Sequence, residues 1–267
     1  KEIGPFSITI TQRGSAELPD KILNLDSGEI RLMEKSGLSF KGRVKMEEKT
    51  GADVNLTLNR VALHLDEIQA LAKGFIPEGI GWKGMNNTQR PDFTIKEVQL
   101  SGTLPDGAAN LSVQDMVLNL PNLKLALSED HLIAEDLTLL VPHTMVQLKN
   151  RFPTTLEMRL NLGAKNIRIR GKQPVQLDEC RISSLNMTIK ELASSPEALW
   201  GMAGRITIEE SGFFRGIRLP PHNDGTNLLS HGFKAHIDLP SAPEARVILA
   251  EANLSAAPLK ISAILPR

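Results

Sequence analysis

The sequence predicts a mainly β protein: a long, curled, bulged antiparallel sheet, open as a groove or closed like a sandwich, with two or three short helices. Three observations carry this. Apolar and polar residues alternate in run after run from Phe6 to Leu265, with turn residues between the runs. Helical spacing of apolar residues is confined to two short stretches. A six-residue unit (apolar, two polar, apolar, any residue, apolar) recurs as Leu58-Asn59-Arg60-Val61-Ala62-Leu63, Ile95-Lys96-Glu97-Val98-Gln99-Leu100, Val113-Gln114-Asp115-Met116-Val117-Leu118, Ala134-Glu135-Asp136-Leu137-Thr138-Leu139, Ala164-Lys165-Asn166-Ile167-Arg168-Ile169 and Ile182-Ser183-Ser184-Leu185-Asn186-Met187. Side chains alternate faces along a strand, so two polar residues in succession turn the apolar set over unless an extra residue is absorbed as a bulge.

In chain order, Phe6 to Thr11 reads as a strand followed by a loop from Gly14 to Pro19. Leu38–Met46 and Asp53–Leu58 form a hairpin across a turn ending in Thr50-Gly51. A helix is expected from Asp66 to Lys73, with Asp66 as N-cap, Gln69 as its capping-box partner, and Gly74 and Pro77 as stop signals. Gly79 to Pro91 has neither period and reads as a long loop, with a sub-boundary of the chain near 79–92. From Phe93 to Ile189 strands follow one another, with breaks at Pro105-Asp106-Gly107, Pro121-Asn122, Ser128-Glu129-Asp130, Asn150 to Pro153 and Gly171 to Pro174. Ser195-Pro196 opens a short helix through Trp200. Strands resume at Arg205–Ile208 and around Phe213 to Leu219, then at Phe233–Leu239, Arg246–Leu249 and Leu259–Leu265.

Composition narrows the function classes. With 31 basic and 31 acidic residues the formal charge is zero, which gives no electrostatic case for nucleic acid. Lys165, Arg168, Arg170 and Lys172 read as one solvated strand face. Eight Phe, two Trp and no Tyr leave few stacking platforms for sugars or bases. Cys180 is the one cysteine, so neither an internal disulfide nor a thiolate zinc site can form. No apolar run reaches the ~18 residues of a membrane-spanning helix. The start at Lys1-Glu2-Ile3 reads as a mature form or an excised segment.

No catalytic signature is present: there is no G-x-S-x-G, G-x-G-x-x-G, P-loop or H-E-x-x-H. His222, Asp224, His231, His236 and Asp238, assigned to a loop from Pro220 onward, lack a metal-ligand spacing and read as surface or hydrogen-bonded groups. The acidic pairs Glu47-Glu48, Glu135-Asp136 and Glu209-Glu210 read as turn or bulge positions, since adjacent strand residues point to opposite faces and cannot converge on one bond. The chain is therefore read as non-enzymatic, without cofactor or metal.

The cadence of Glu97–Leu104, Ala164–Ile169 and Arg205–Ile208 resembles the AsmA-like superfamily of Gram-negative envelopes. The resemblance implies a single elongated β domain over residues 1–267, a periplasmic piece of a longer protein held in the inner membrane by an anchor absent from this sequence. It also implies an aliphatic trough that binds phospholipid or another acyl-chain ligand, in lipid transport or outer-membrane assembly, with envelope proteins as further partners. No catalytic residue is transferred. About fifteen strands at about 4.8 Å each would extend roughly 70 Å. The residues expected to line the trough follow each polar pair: Val98, Leu100, Met116, Leu118, Leu137, Leu139, Ile167, Ile169, Leu185 and Met187. The residues before each pair are the competing inward set. The competing function is a structural or protein-interaction sandwich module of the cell envelope.

Overall fold

The computed structural model describes residues 7–47, 51–67, 80–82, 91–105, 107–127, 130–149, 152–170, 174–194, 202–219, 222–239, 246–254 and 257–265. They form one antiparallel sheet. Its strands are β1 (Ile8–Glu17), β2 (Ile22–Leu32), β3 (Ser36–Glu47), β4 (Gly51–His64), β5 (Ile80–Trp82), β6 (Asp92–Pro105), β7 (Ala108–Leu127), β8 (Asp130–Lys149), β9 (Phe152–Arg170), β10 (Val175–Ser194), β11 (Met202–Leu219), β12 (His222–Leu239), β13 (Arg246–Leu254) and β14 (Ala257–Leu265). They pair in sequence order, except that β4 pairs directly with β6 while β5 pairs β7. The sheet is not closed: β1 and β14 are its two edges. Thirteen strands in line extend about 60 Å at about 4.8 Å per step. Of the two forms left open by the sequence, the single open sheet is the one found.

The polar pairs do what a bulge does. Arg60, Asp115, Asp136 and Asn166, the second polar residue of four of the six units, take φ of +51°, +47°, +49° and +48°, a region that costs an L-residue about 1–2 kcal/mol. At Ser183-Ser184 the register of β10 shifts against both neighbours. The unit of β6 has neither feature, but its Lys96 lies level with left-handed Arg60 and Asp115 in an unshifted register. The effect is plain in β9, where Ala164 is buried, Lys165 and Asn166 are exposed, and Ile167 is buried. Both polar side chains leave on one side, and the apolar residues before and after them stay on the other. The same unit occurs at Leu177-Asp178-Glu179-Cys180 and Phe214-Arg215-Gly216-Ile217, where Gly216 supplies the positive φ of +63° against the Asp178 carboxylate.

Several sequence expectations are corrected. The loop placed at Gly14 to Pro19 is strand as far as Glu17, and β2 has no counterpart in the sequence reading. Pro121-Asn122 is not a break: β7 runs through it. On one side Pro121 falls between the last β6 pair, Asp92 with Asn119, and the β5 pair of Trp82 with Leu123. On the other it faces left-handed Asp136, so no ladder bond needs its missing N–H. Strand β5 lies within the expected 79–91 loop, and β12 occupies the expected loop after Pro220. The two segments expected in β11 are one strand. Residues 65–67 are helical; the rest of the helix expected to Lys73, and the one at Ser195, lie outside the described residues.

Little of this sheet is interior. The chain exposes 17076 Å², whereas a compact monomer of 29.3 kDa exposes about 11,500 Å². The tightest packing is a cluster of Ala134, Ala164 and Ile167, against which Leu132, Leu137, Leu177 and Cys180 lie. Most other aliphatic side chains are only half-buried.

Candidate functional site: the aliphatic face

Side chains of directly paired residues stand on the same face, so the register reads out the composition of each side. One row runs Leu56, Leu100, Leu111, Val146, Leu156, Ile189, Ile206, Ile237. The row beside it runs Leu58, Val98, Val113, Thr144, Met158, Met187, Ile208, Ala235. Beyond the bulges come Val61, Ile95, Met116, Val141, and then Leu63, Phe93, Leu118, Leu139, Leu162, Ile182. Further rows pair Leu185 with Leu160, Leu137 with Leu120, Ile167 with Leu177, and Ile169 with Leu132 and Val175.

All ten residues expected to line the trough therefore fall in aliphatic rows. Residues from before the polar pairs share these rows: Val113 pairs with Val98, and Ile95 with Met116. The two candidate inward sets are one set, because each bulge absorbs the extra residue. Strand register shows this, together with the left-handed φ at the second polar position of four of the units.

The opposite face is polar. Thr57, Gln99, Ser112, Met145, Glu157, Thr188, Thr207 and His236 form one of its rows. Ion pairs stud it, among them Arg205 with Asp238 at 3.2 Å, Arg215 with Glu179 at 3.3 Å and Arg218 with Asp178 at 3.0 Å. His236 and Asp238 share this face, His236 bonding Thr207 Oγ1 at 3.2 Å. Among the described residues no three His, Cys, Asp or Glu side chains group as a metal site. Of two open concavities, of about 800 and 730 Å³, the first is lined mostly by polar residues such as Arg13, Glu29, Arg31 and Ser39, and the second mixes Asp92, Asn119, Asn161 and Arg181 with Leu120, Leu137, Leu140 and Leu162.

Glu209 and Glu210 overturn one expectation. They sit mid-strand in unbroken register, not in a turn or bulge. Glu209 faces Lys234 on the polar side. Glu210, in the row of Leu185 and Phe233, falls on the aliphatic side. There it meets His231: Nδ1 lies 2.9 Å from Oε1 and 3.2 Å from Oε2, and both side chains are 15% exposed. The Phe214 ring stacks on the imidazole at 4.5 Å. Burial, and secondarily the Glu210 charge, push the nearby Cys180 thiol up, which keeps it protonated and unreactive.

At the other end of the sheet Glu67 closes the turn into β3. It accepts hydrogen bonds from Ser36 Oγ at 2.6 Å, Ser36 N–H at 3.0 Å and Lys35 N–H at 3.1 Å, while Ser36 Oγ accepts from His64 N–H at 2.9 Å. Burial pushes the Glu67 carboxyl upward, but the Ser36 and Lys35 bonds and the His64 charge together outweigh it and hold it below its ordinary value.

No helix among the described residues is long and apolar enough to cross a membrane. Comparison with protein-family models, characterised proteins and solved structures gave no match to this chain.

Proposed function

We propose that the aliphatic face holds acyl chains, and that the protein is a lipid-binding or conduit module of a Gram-negative envelope, contributing to phospholipid transport or outer-membrane assembly from the periplasmic side. The observation that carries this reading is the run of Leu, Ile, Val and Met rows from β4 to β12 on a sheet with no second sheet over it among the described residues. Most of these side chains are only half-buried, and apolar surface that no second layer covers marks ligand or membrane sites. A mostly aliphatic face suits chains of methylene groups, each contributing about 0.8 kcal/mol when buried.

Leu118→Asp tests it. Mass spectrometry of the lipid retained by the purified variant should show a large loss, with the circular dichroism spectrum of the wild type preserved. Unfolding of the variant would instead indicate a covered interior, in which an unpaired charge is not tolerated. A second reading, a protein-interaction module, is favoured by β1. Each of its residues is exposed, Ile8 and Ile10 at 51% and 63%, and among the described residues it pairs with β2 alone, which leaves its other edge as a place for an added strand.

A further inference from the structure

On the polar face, where β1 to β4 lie, the register sets small residues side by side. Arg31 pairs with Gly37 and Gly37 with Ala62, while Glu29 pairs with Ser39 and Arg13 with Ser27. Ala62 stands between Val61 and Leu63 of the aliphatic rows, so this row points to the opposite side. Gly37, Ala62, Ser27 and Ser39 are too short to fill the space between the longer side chains around them, and the open concavity of about 800 Å³ results. Its wall carries four cations, Arg13, Arg31, Lys35 and Arg60, against two carboxylates, Glu29 and Glu34, an excess of two positive charges in a chain of zero formal charge. Arg31 is occupied: it donates to both oxygens of Glu29, at 2.8 and 3.3 Å, and that hydrogen bonding holds the carboxyl below its ordinary value. Glu67, at the turn into β3, is taken up by Ser36 and the Lys35 N–H. The side chains of Arg13, Lys35 and Arg60 form no ion pair or hydrogen bond among the described residues, whereas Arg205, Arg215 and Arg218 on the same face each meet a carboxylate. Like charges gathered round one hollow repel, so fold stability does not explain their placement.

A ligand that completes this hollow brings negative charge and acceptor oxygens. A phosphomonoester carries a charge of about −1.5 to −2 near neutral pH on three acceptor oxygens, which matches the excess on the wall. The planar forks of Arg13 and Arg60 suit bidentate bonds to such oxygens, and Lys35 adds a point charge. The Thr11 and Ser27 hydroxyls in the same wall are further donors. No aromatic ring lines the concavity, so it gives a nucleobase nothing to stack on. We propose that Arg13, Lys35 and Arg60 form a binding site for a phosphomonoester group, carried by a soluble molecule or by a lipid headgroup. The site lies on the face opposite the acyl-chain rows and does not rest on their function.

Titration calorimetry of the full chain with glycerol 3-phosphate should show saturable binding that weakens about tenfold in Arg60→Gln and about tenfold in Arg13→Gln, each variant removing one charge-assisted contact. Arg205→Gln, on the same face but paired with Asp238, should bind as the wild type does. Succinate, a dicarboxylate of similar charge, should bind about tenfold more weakly than glycerol 3-phosphate, and equal affinity would overturn the phosphoryl assignment. Sedimentation with phosphatidylcholine vesicles, with and without phosphatidic acid, separates the two sources. Co-sedimentation that needs both phosphatidic acid and Arg60 assigns the group to a lipid, and binding of glycerol 3-phosphate alone assigns it to a soluble ligand. Saturable binding in neither assay, or binding that Arg13→Gln and Arg60→Gln both leave unchanged, would overturn the site. If Arg60→Gln does not fold, Arg13→Gln on the exposed strand β1 must weaken binding or the proposal fails.

Discussion

Glu67 and Glu210 are both carboxylates shielded by this sheet with a histidine nearby, yet their surroundings differ in one respect. Glu67 accepts three hydrogen bonds, two from backbone N–H groups of the turn into β3 and one from the Ser36 hydroxyl. Glu210 meets one side chain of the neighbouring strand, His231, whose Nδ1 lies 2.9 Å from one carboxylate oxygen and 3.2 Å from the other. A carboxylate that saturates its partners fixes the backbone around it. One held by a single side chain fixes only that pair. Shielded acids on the same sheet thus differ in what they hold: Glu67 ties the backbone of a turn, and Glu210 ties one side chain across a strand pair.

The largest effect should come from Glu67→Ala, which leaves Ser36 and Lys35 without their acceptor. A loss of about 2–3 kcal/mol in chemical denaturation is expected, with the turn at 33–35 opening first in hydrogen exchange. Next comes its pH dependence. Because the folded carboxyl is held below its ordinary value of 4.5, its contribution is fully present above that value and is lost as pH falls through the lower folded value. The stability difference between wild type and Glu67→Gln should be constant from neutral pH to about 5 and shrink below 4.5. A difference that grew on acidification would break the assignment of Glu67 as a clamp. The smallest effect should be that of Glu210→Gln on stability, about 1 kcal/mol, because the amide oxygen can still accept a hydrogen bond from Nδ1 of His231. A loss as large as that of Glu67→Ala would make the two sites alike.

Much of the architecture was legible in the letters. Alternation located most of the strands, and the polar pairs at Arg60, Asp115, Asp136, Asn166 and Ser184 coincide with left-handed residues or register shifts. What failed did so for identifiable reasons. Pro121 reads as a break because proline lacks a donor, but it stands where no donor is called for. Asp178-Glu179 and Arg215-Gly216 went unnoticed as members of the repeat, though their spacing is the same. The candidate site is half legible: the ten residues expected to line it fall in aliphatic rows, whereas Glu210 reads as one more bulge position but sits mid-strand on that side.

That last case marks the division. By itself the sequence determined that the chain makes antiparallel strands with one aliphatic and one polar side, because period-two alternation leaves no other amphipathic arrangement. Whether a given polar pair is expelled together or split across the sheet depends on the backbone at the second residue and on the register of both neighbouring strands. Lys165-Asn166 is expelled, Glu209-Glu210 is split, and only the tertiary structure decided which, since strand pairing joins residues far apart in the chain whose φ angles no local pattern fixes.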